Sequence, residues 1–360
     1  MSFIDRLLDS FRGKAITIPP YDGAYKPNTL LEDAPTVLSL GGVDNLAQWG
    51  ERTVFSAGPT VYALSDGVAL PVSTFGTPIN ALAPLTPETL VLGLESGGIV
   101  LHGGNHDGRR LYRFGAASIL CSTSIAALDE RTLVITQGSA RHAPQDRQAS
   151  LLEKDASGSV WKLDIVTGEA LLLAEGLAWP ASIMPRPDGS AIVSEAFSHR
   201  LLRISLDGNK RQTVTVLKKI PGYPGHLSPA RDGGAWLSVF APRNRLIEFV
   251  LQEDVFRAHM LETVAREHWI APTLISGESF LEPLQCGAVR TMGVHKPWAP
   301  SRSYGLAVRL DAGFQPVASF HSRADGTRHG VTSILDTGSA TLASLKGPGL
   351  IVDLEGKAAR

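Results

Sequence analysis

A local pattern that recurs six times along this 360-residue chain constrains its fold more than any other feature. Each copy places an apolar residue before a turn rich in Gly, Pro or Asp, and a short apolar, β-branched run follows the turn. Such runs, bounded by turn residues, are typical of β-strands. The aligned apolar residues of the six copies are Leu46, Leu82, Ile125, Ile183, Leu227 and Ile334.

The intervals between successive copies are 36, 43, 58, 44 and 107 residues. A four-stranded propeller blade takes about 40–50 residues, so the repeat predicts an all-β fold, a six-bladed β-propeller. Two insertions account for the long intervals, at about 137–157 in blade three and at about 252–300 in blade five. Apolar residues near helical spacing predict a helix in the second insertion. The sequence leaves open whether that insertion is a lid, an interface or a packing excursion.

The chain divides into a lead-in, residues 1–35, and one propeller, residues 36–360. The segment 36–40 reads as a strand that can complete the sixth blade, since an unpaired sheet edge invites aggregation. Apolar residues on one face predict a short N-terminal helix, which either packs on the domain or docks on a membrane surface or partner. The residues on this face are Phe3, Ile4, Leu7, Leu8 and Phe11.

Composition excludes several classes of protein. Lys and Arg number 34 against 35 Asp and Glu, and this balance argues against a nucleic-acid binder. Asp5 and Asp9 interrupt the first apolar residues, which argues against a signal peptide. No apolar run approaches the about 20 residues that cross a bilayer, so no membrane span is expected. Cys121 and Cys286 form no disulfide framework, and we expect a cytoplasmic protein.

Two long segments carry a resemblance to a known family. The stretches GLAWPASIMPRPDGSAIVSEAFSHRLLRISLDG at 176–208 and IPGYPGHLSPARDGGAWLSVFAPRN at 220–244 resemble strictosidine synthase-like proteins, and the match continues in order over roughly 15–356. The resemblance implies the six-bladed propeller superfamily that also includes gluconolactonases, senescence-marker-type lactonases and paraoxonases. Because one fold hosts many activities, the chemistry has to be argued from the site.

The resemblance also implies where a metal would lie. Metal-dependent members of the superfamily hold a calcium-type cation at the top of the channel, on carboxylate and amide oxygens. The corresponding turns here keep Asp44 and Asn45 in blade one and Asn80 in blade two. The equivalent pairs of blades three, four and five are Thr123–Ser124, Ala181–Ser182 and Gly225–His226. We therefore expect a degenerate calcium site and no cofactor, with weak binding of a divalent cation left open.

Strictosidine synthase works without a metal and uses one Glu of the last blade as its acid/base group. In this chain His329 stands at or beside that position. Histidine can exchange protons near neutral pH, since its unperturbed pKa is about 6.5. An imidazole is not a carboxylate partner for an ammonium substrate, which argues against the same condensation of an amine with an aldehyde.

The six channel turns are expected to meet at one mouth and to form a site there. His329 and His226 are the acid/base candidates, and Asp44 is expected to orient an imidazole. The predicted substrate-binding residues are Asn45, Asn80, Thr123, Ser124, Ser182 and Thr332 in the turns, Trp179 and Tyr223 as apolar walls, and His142 in the blade-three insertion. The alternative is that these polar side chains only bond the turns and ordered water.

These features predict a metal-independent enzyme that acts on a small organic molecule in the central channel. Hydrolysis of a lactone or ester by histidine acid/base chemistry is the favoured reaction. One alternative is a strictosidine synthase-like enzyme or lyase that forms a C–N or C–C bond. A second is a non-catalytic propeller that binds a ligand or a protein. The sequence is compatible with a homo-oligomer and does not decide it.

Overall fold

The computed structural model describes residues 18–208, 213–275, 290–291, 294–295 and 302–356. The predicted N-terminal helix and Cys286 lie outside this part of the chain. Six four-stranded antiparallel sheets follow one another, which confirms the six-bladed propeller. Within these residues the strand count and the blade order agree with the six copies of the repeat.

The first half of the chain contributes three blades, preceded by β1 (Thr36–Ser39). Blade one contains β2 (Val43–Trp49), β3 (Arg52–Ala57), β4 (Thr60–Ser65) and β5 (Val68–Thr74). Blade two contains β6 (Ile79–Thr86), β7 (Thr89–Leu94), β8 (Ile99–His102) and β9 (Arg110–Leu111). After a hairpin of β10 (Arg113–Phe114) and β11 (Ala117–Ser118), blade three contains β12 (Ser122–Ala127), β13 (Thr132–Gln137), β14 (Gly158–Asp164) and β15 (Ala170–Leu177).

The second half of the chain contributes the other three blades. Blade four contains β16 (Pro180–Pro185), β17 (Ser190–Glu195), β18 (Arg200–Ser205) and β19 (Thr213–Leu217). Blade five contains β20 (Gly222–Pro229), β21 (Ala235–Pro242), β24 (Leu306–Leu310) and β25 (Pro316–His321), with the pair β22 (Arg290–Thr291) and β23 (Val294–His295) inside its insertion. Blade six contains β26 (Val331–Asp336), β27 (Thr341–Leu345) and β28 (Leu350–Asp353).

The ring closes where the first strand completes the last blade. Strand β1 pairs antiparallel with β28, and Ser39 lies opposite Leu350. The lead-in is also fixed to the propeller, since the side-chain amide of Asn28 donates to the Ser319 carbonyl at 2.8 Å. Leu31 is buried in the core between blades five and six. These contacts remove the open edge that the sequence indicated.

The core of the protein lies between neighbouring blades rather than in one centre. Each of the six blade interfaces holds its own cluster of buried apolar side chains. Inner strands are therefore covered on both faces, and all six residues of β7 are buried. This burial explains why the strands read as continuous apolar runs rather than as alternating ones.

The α-helices of the described residues lie in or beside the two insertions. They are α1 (Arg147–Leu152) in blade three, and α2 (Arg245–Val250) and α3 (Asp254–Thr263) in blade five. The sequence predicted a single helix in the blade-five insertion. The short 3₁₀ turns are Gly23–Tyr25, Gly104–His106, Pro144–Asp146 and Arg266–His268. Leu152 packs with Val250, Met260 and Trp269 in one apolar cluster. The two insertions therefore support each other.

Candidate active site

The innermost strand of every blade pairs irregularly with its neighbour close to one end. The pairing shifts between Asp44 and Ala47 in β2 and between Ile79 and Ala81 in β6. The other shifts lie between Ser122 and Ser124, Pro180 and Ser182, Gly222 and Leu227, and Val331 and Ser333. A β-bulge bends its strand and re-aims a side chain. All six innermost strands thus present irregular ends around the channel.

These ends enclose a cavity of about 130 Å³. An apolar cavity of about 150 Å³ holds benzene in another protein, so the channel has room for an organic group of about one ring. The predicted site residues that line it are Asp44, Asn45, Asn80, Thr123, Trp179, His226 and Thr332. The roles of these residues stay predictions, but the structure does bring them together.

Two predicted substrate-binding serines hold blades together instead. The Ser124 hydroxyl accepts the backbone N–H of Ile183 in blade four at 3.3 Å. The Ser182 hydroxyl accepts the N–H of Leu227 in blade five at 3.0 Å. Ser333 makes the equivalent contact from blade six to blade one. Ser124 and Ser182 are buried at these blade contacts and do not line the cavity.

His329 also lies outside the cavity, contrary to its predicted acid/base position. Its ring is buried, and Nε2 lies 2.8 Å from the Arg323 carbonyl oxygen. Because a carbonyl only accepts, Nε2 must carry the proton, and Nδ1 then accepts the Ser303 hydroxyl at 2.7 Å. Burial lowers the pKa of His329. The imidazole of His329 is therefore neutral, and both its nitrogens are hydrogen-bonded to protein groups.

The two remaining predictions outside the cavity are His142 and Tyr223. Nε2 of His142 lies 3.0 Å from a carboxylate oxygen of Glu153 within the blade-three insertion. Tyr223 is fully buried and stacks on Phe240, with ring centroids 5.7 Å apart. Phe240 lines the cavity and Tyr223 does not, so Tyr223 stands behind the wall that it was expected to form.

His226 is the half-buried imidazole of the cavity. Its backbone N–H donates to the Ser238 hydroxyl at 2.7 Å, which fixes the strand at the bulge. Burial lowers the pKa of His226 to about 4, although the nearby Asp44 carboxylate opposes this shift. The ring is therefore neutral at physiological pH and free to accept a proton.

Three lining side chains carry buried polar atoms that have no hydrogen-bond partner among the described residues. They are Nδ1 of His226, Nδ2 of Asn80 and Oγ of Ser122. Buried polar groups are normally paired, and an exception calls for a water, an ion or a ligand. Finding three such atoms around one cavity indicates a site that is completed by something it binds.

Asp44 forms an ion pair with a residue that sequence reasoning missed. Nζ of Lys346 lies 3.0 Å from Oδ2 of Asp44, and both side chains line the cavity. The other oxygen of Asp44 accepts the N–H of Asn45 at 2.9 Å. Lys346 lies in the turn between β27 and β28, so closure of the ring brings blade six against blade one.

Arg147 is the second lining cation that the sequence did not reveal. Its guanidinium lies 4.2 Å above the centroid of the Phe240 ring. Burial lowers the pKa of Arg147 to about 10, opposed by the charge of Asp44. It comes from α1 in the blade-three insertion, which has no counterpart in the repeat. The only sequence signal was the insertion itself.

Trp179 forms one apolar wall of the cavity, in a left-handed backbone conformation with φ of 58°. Its ring stacks on Phe197, with centroids 5.5 Å apart. Gly138 lies against this wall, where an added Cβ would come within 2.8 Å of a Thr123 methyl carbon and 3.2 Å of the indole. A side chain at Gly138 would therefore displace two lining residues.

The donors of the cavity do not fit a calcium ion. Such a cation takes six to eight oxygen ligands from carboxylates, carbonyls and waters. Asp44 is the one carboxylate among the described lining residues, and the ammonium of Lys346 occupies it. The described residues also contain no cluster of three or more His, Cys, Asp or Glu side chains suited to a metal.

Known proteins with similar sequences match part of this chain. Protein STRICTOSIDINE SYNTHASE-LIKE 10 of Arabidopsis thaliana is 28% identical over 133 residues, 36% of each chain. The adipocyte plasma membrane-associated protein of Mus musculus is 22% identical over 200 residues, 54% of this chain and 48% of its own. The matched part thus spans less than half of either relative. These matches confirm the resemblance to strictosidine synthase-like proteins, while no protein-family model matches.

Solved structures share the fold. A gluconolactonase from Xanthomonas campestris superposes with a TM-score of 0.56 and 14% identity, over 88% of each chain. At this identity the likeness concerns the six-bladed architecture alone. Among the described residues, no helix combines the length and the apolar character that a membrane crossing requires.

Proposed function

We propose that this protein is a hydrolase that opens a lactone or cleaves an ester of a small organic molecule in the central channel, without a metal. The observation that carries the proposal is the neutral imidazole of His226 in one cavity with Arg147 and the Asp44–Lys346 pair. The names of the relatives support it at the level of superfamily, since one neighbour by fold is a gluconolactonase.

His226 serves as the general base in this proposal. Its imidazole takes a proton from a water molecule while the water oxygen attacks the acyl carbon, and the carbonyl electrons move to oxygen. When the tetrahedral intermediate collapses, the C–O bond breaks and His226 returns the proton to the leaving alkoxide. An ester gives an acid and an alcohol, and a lactone gives one hydroxy acid. Each turnover leaves His226 in its starting state.

The oxyanion of the intermediate requires positive charge or hydrogen-bond donors. Lys346 supplies a fixed cation in the cavity, and Asn80 supplies an amide NH₂ without a partner among the described residues. Donors that are fixed in a partly dry site stabilise developing charge far better than water does. In this proposal Lys346 provides the charge that a cation provides in metal-dependent relatives.

Amine condensation receives less support from the same cavity. With His226 neutral, the described lining residues carry Arg147, Lys346 and Asp44, an excess of one positive charge. An ammonium substrate would be repelled, and the carboxylate that could bind it is already paired with Lys346. A non-catalytic propeller that binds only a protein partner is also less consistent with three polar atoms around the cavity that have no partner among the described residues.

The experiment is a turnover assay on a panel of small lactones and aryl esters, with and without a chelator. We expect hydrolysis that the chelator leaves unchanged and that Lys346→Gln lowers by about 10²-fold or more, the scale for losing one oxyanion donor. Arg203→Gln, which removes an exposed arginine of β18, serves as the matched control. No hydrolysis across the panel, or activity abolished by the chelator, would overturn the proposal.

A further inference from the structure

A second cavity adjoins the channel on the side of the two insertions. It measures about 430 Å³ and shares Pro144, Arg147 and Lys346 with the channel cavity. Leu274 at the end of the described blade-five insertion forms part of its other wall. We call this second cavity the outer groove. Because these residues line both cavities, the two cavities lie next to each other.

Three cationic side chains line the outer groove. Arg147, Arg266 and Lys346 line it, and no Asp or Glu is among its described lining residues. Two of these cations already have carboxylate partners, since Arg266 bonds Asp146 at 2.8 Å and Lys346 bonds Asp44 at 3.0 Å. Arg147 differs, because no hydrogen bond or ion pair reaches its guanidinium from the described residues.

The position of Arg147 suits a planar anion. Its guanidinium lies over the Phe240 ring at 4.2 Å, which fixes the plane of the five N–H donors. Such a rigid fork matches a carboxylate through two parallel hydrogen bonds. The Arg147 side chain is half-buried, and a ligand carboxylate would supply the hydrogen-bonded partner that no described residue provides.

We infer that Arg147 is a substrate-binding residue for a carboxylate, so that the substrate of the channel is an organic acid that also carries the reacting ester or lactone. The carboxylate lies on Arg147 where the two cavities meet, and the acyl group extends into the channel cavity toward His226. This inference rests on the proposed function for its reacting group, whereas the anion-binding site itself stands independently of turnover.

The test measures binding without catalysis. Benzoate and its neutral isostere benzamide are titrated into the full-length protein by isothermal titration calorimetry, at low and at high salt. We expect benzoate to bind more tightly, and added salt to weaken benzoate alone. Arg147→Gln should weaken benzoate by about 10- to 100-fold, the value of a charged hydrogen bond, and leave benzamide unchanged.

Matched variants locate the effect. Arg147→Lys keeps the charge and loses the fork, so we expect an intermediate loss, and it replaces Arg147→Gln should that variant fail to fold. Arg203→Gln, on the exposed face of β18, should leave both affinities unchanged. His226→Gln should retain benzoate binding, because the carboxylate lies on Arg147 rather than on the imidazole.

The outcomes separate this inference from the proposed function. Benzoate binding that depends on Arg147 in a protein without esterase activity would uphold the anion site and reject hydrolysis. Equal affinity for benzoate and benzamide in the wild type, or benzoate binding unaffected by both Arg147 variants, would overturn the anion site. Loss of benzoate binding in His226→Gln alone would place the anion at the imidazole and also overturn it.

Discussion

Two histidines that the sequence could not tell apart lie in opposite surroundings. His226 lines the cavity, and its Nδ1 has no partner among the described residues. His329 is buried outside the cavity, and both its nitrogens are bonded, to Ser303 and to the Arg323 carbonyl. Burial lowers the pKa of both rings. The difference shows that a perturbed pKa marks burial, while spare hydrogen-bonding capacity beside a cavity marks a candidate for chemistry.

The local backbone accounts for the difference. His226 is part of the innermost strand β20, where two pairing shifts disturb the regular alternation. His329 lies before β26 in the connection from blade five. A side chain in a bulge of an innermost strand can face the channel, whereas one in the preceding connection packs against its own loop. The predictions below test this contrast from the largest expected effect to the smallest.

The largest effect is expected from removing the imidazole of His226. His226→Gln should lower kcat/KM for the best ester or lactone by about 10²- to 10⁴-fold, the range for loss of a general base. The melting temperature should stay close to that of the wild type, because no side chain of the described residues bonds the ring. Parallel kinetics and thermal unfolding check both statements, and unchanged kcat/KM would remove His226 from the mechanism.

The second prediction concerns pH. The pKa of His226 is lowered to about 4, so its imidazole is neutral above that value and protonated below it. A protonated base cannot accept a proton, so kcat/KM should hold from pH 7 to about 5 and fall by about tenfold per unit below pH 4. An acid limb centred near the ordinary histidine value of about 6.5 would contradict this. Circular dichroism at each pH confirms that the protein is folded.

The third prediction is that removing the His329 imidazole lowers stability and leaves activity nearly unchanged. His329→Leu removes the donor to the Arg323 carbonyl and should lower the free energy of unfolding by about 1–3 kcal/mol, the cost of leaving a buried polar group unpaired. Turnover of the folded variant should stay within about threefold of wild type, since His329 does not line the cavity. Urea unfolding and kinetics give the two values, with His259→Leu on the exposed side of α3 as control. A large loss of kcat without loss of stability would restore His329 to the site.

The smallest effect is expected for Tyr223, the predicted wall residue that lies behind the wall. Its buried hydroxyl has no partner among the described residues, so Tyr223→Phe should change stability by less than about 0.5 kcal/mol or raise it slightly. Tyr21→Phe is the matched control, because that hydroxyl donates to the Pro221 carbonyl at 3.0 Å and should cost about 1 kcal/mol. Denaturant midpoints compare the two, and a larger loss for Tyr223→Phe would reveal a partner.

The site was predictable only where it follows the repeat. Thr123 and Asn80 were identified because each stands at the same place in a recurring unit, and both line the cavity. Ser124 and Ser182 each stand one residue further along in their own copies of the repeat. A shift of one residue in a strand reverses the direction of a side chain. The bulges that decide this direction are not visible in the pattern of apolar residues, so the neighbouring serines could not be assigned.

The sequence alone determined the six blades, the strand that closes the ring and the places of both insertions, because apolar periodicity and turn residues act locally and repeat. Only the tertiary structure decided which side chains share the cavity. Lys346 reaches Asp44 across 302 positions of the chain, and Arg147 reaches Phe240 from an insertion outside the repeat. Such contacts depend on ring closure and on packing between the insertions. They join residues that are far apart in the sequence, so no periodic sequence pattern reveals them.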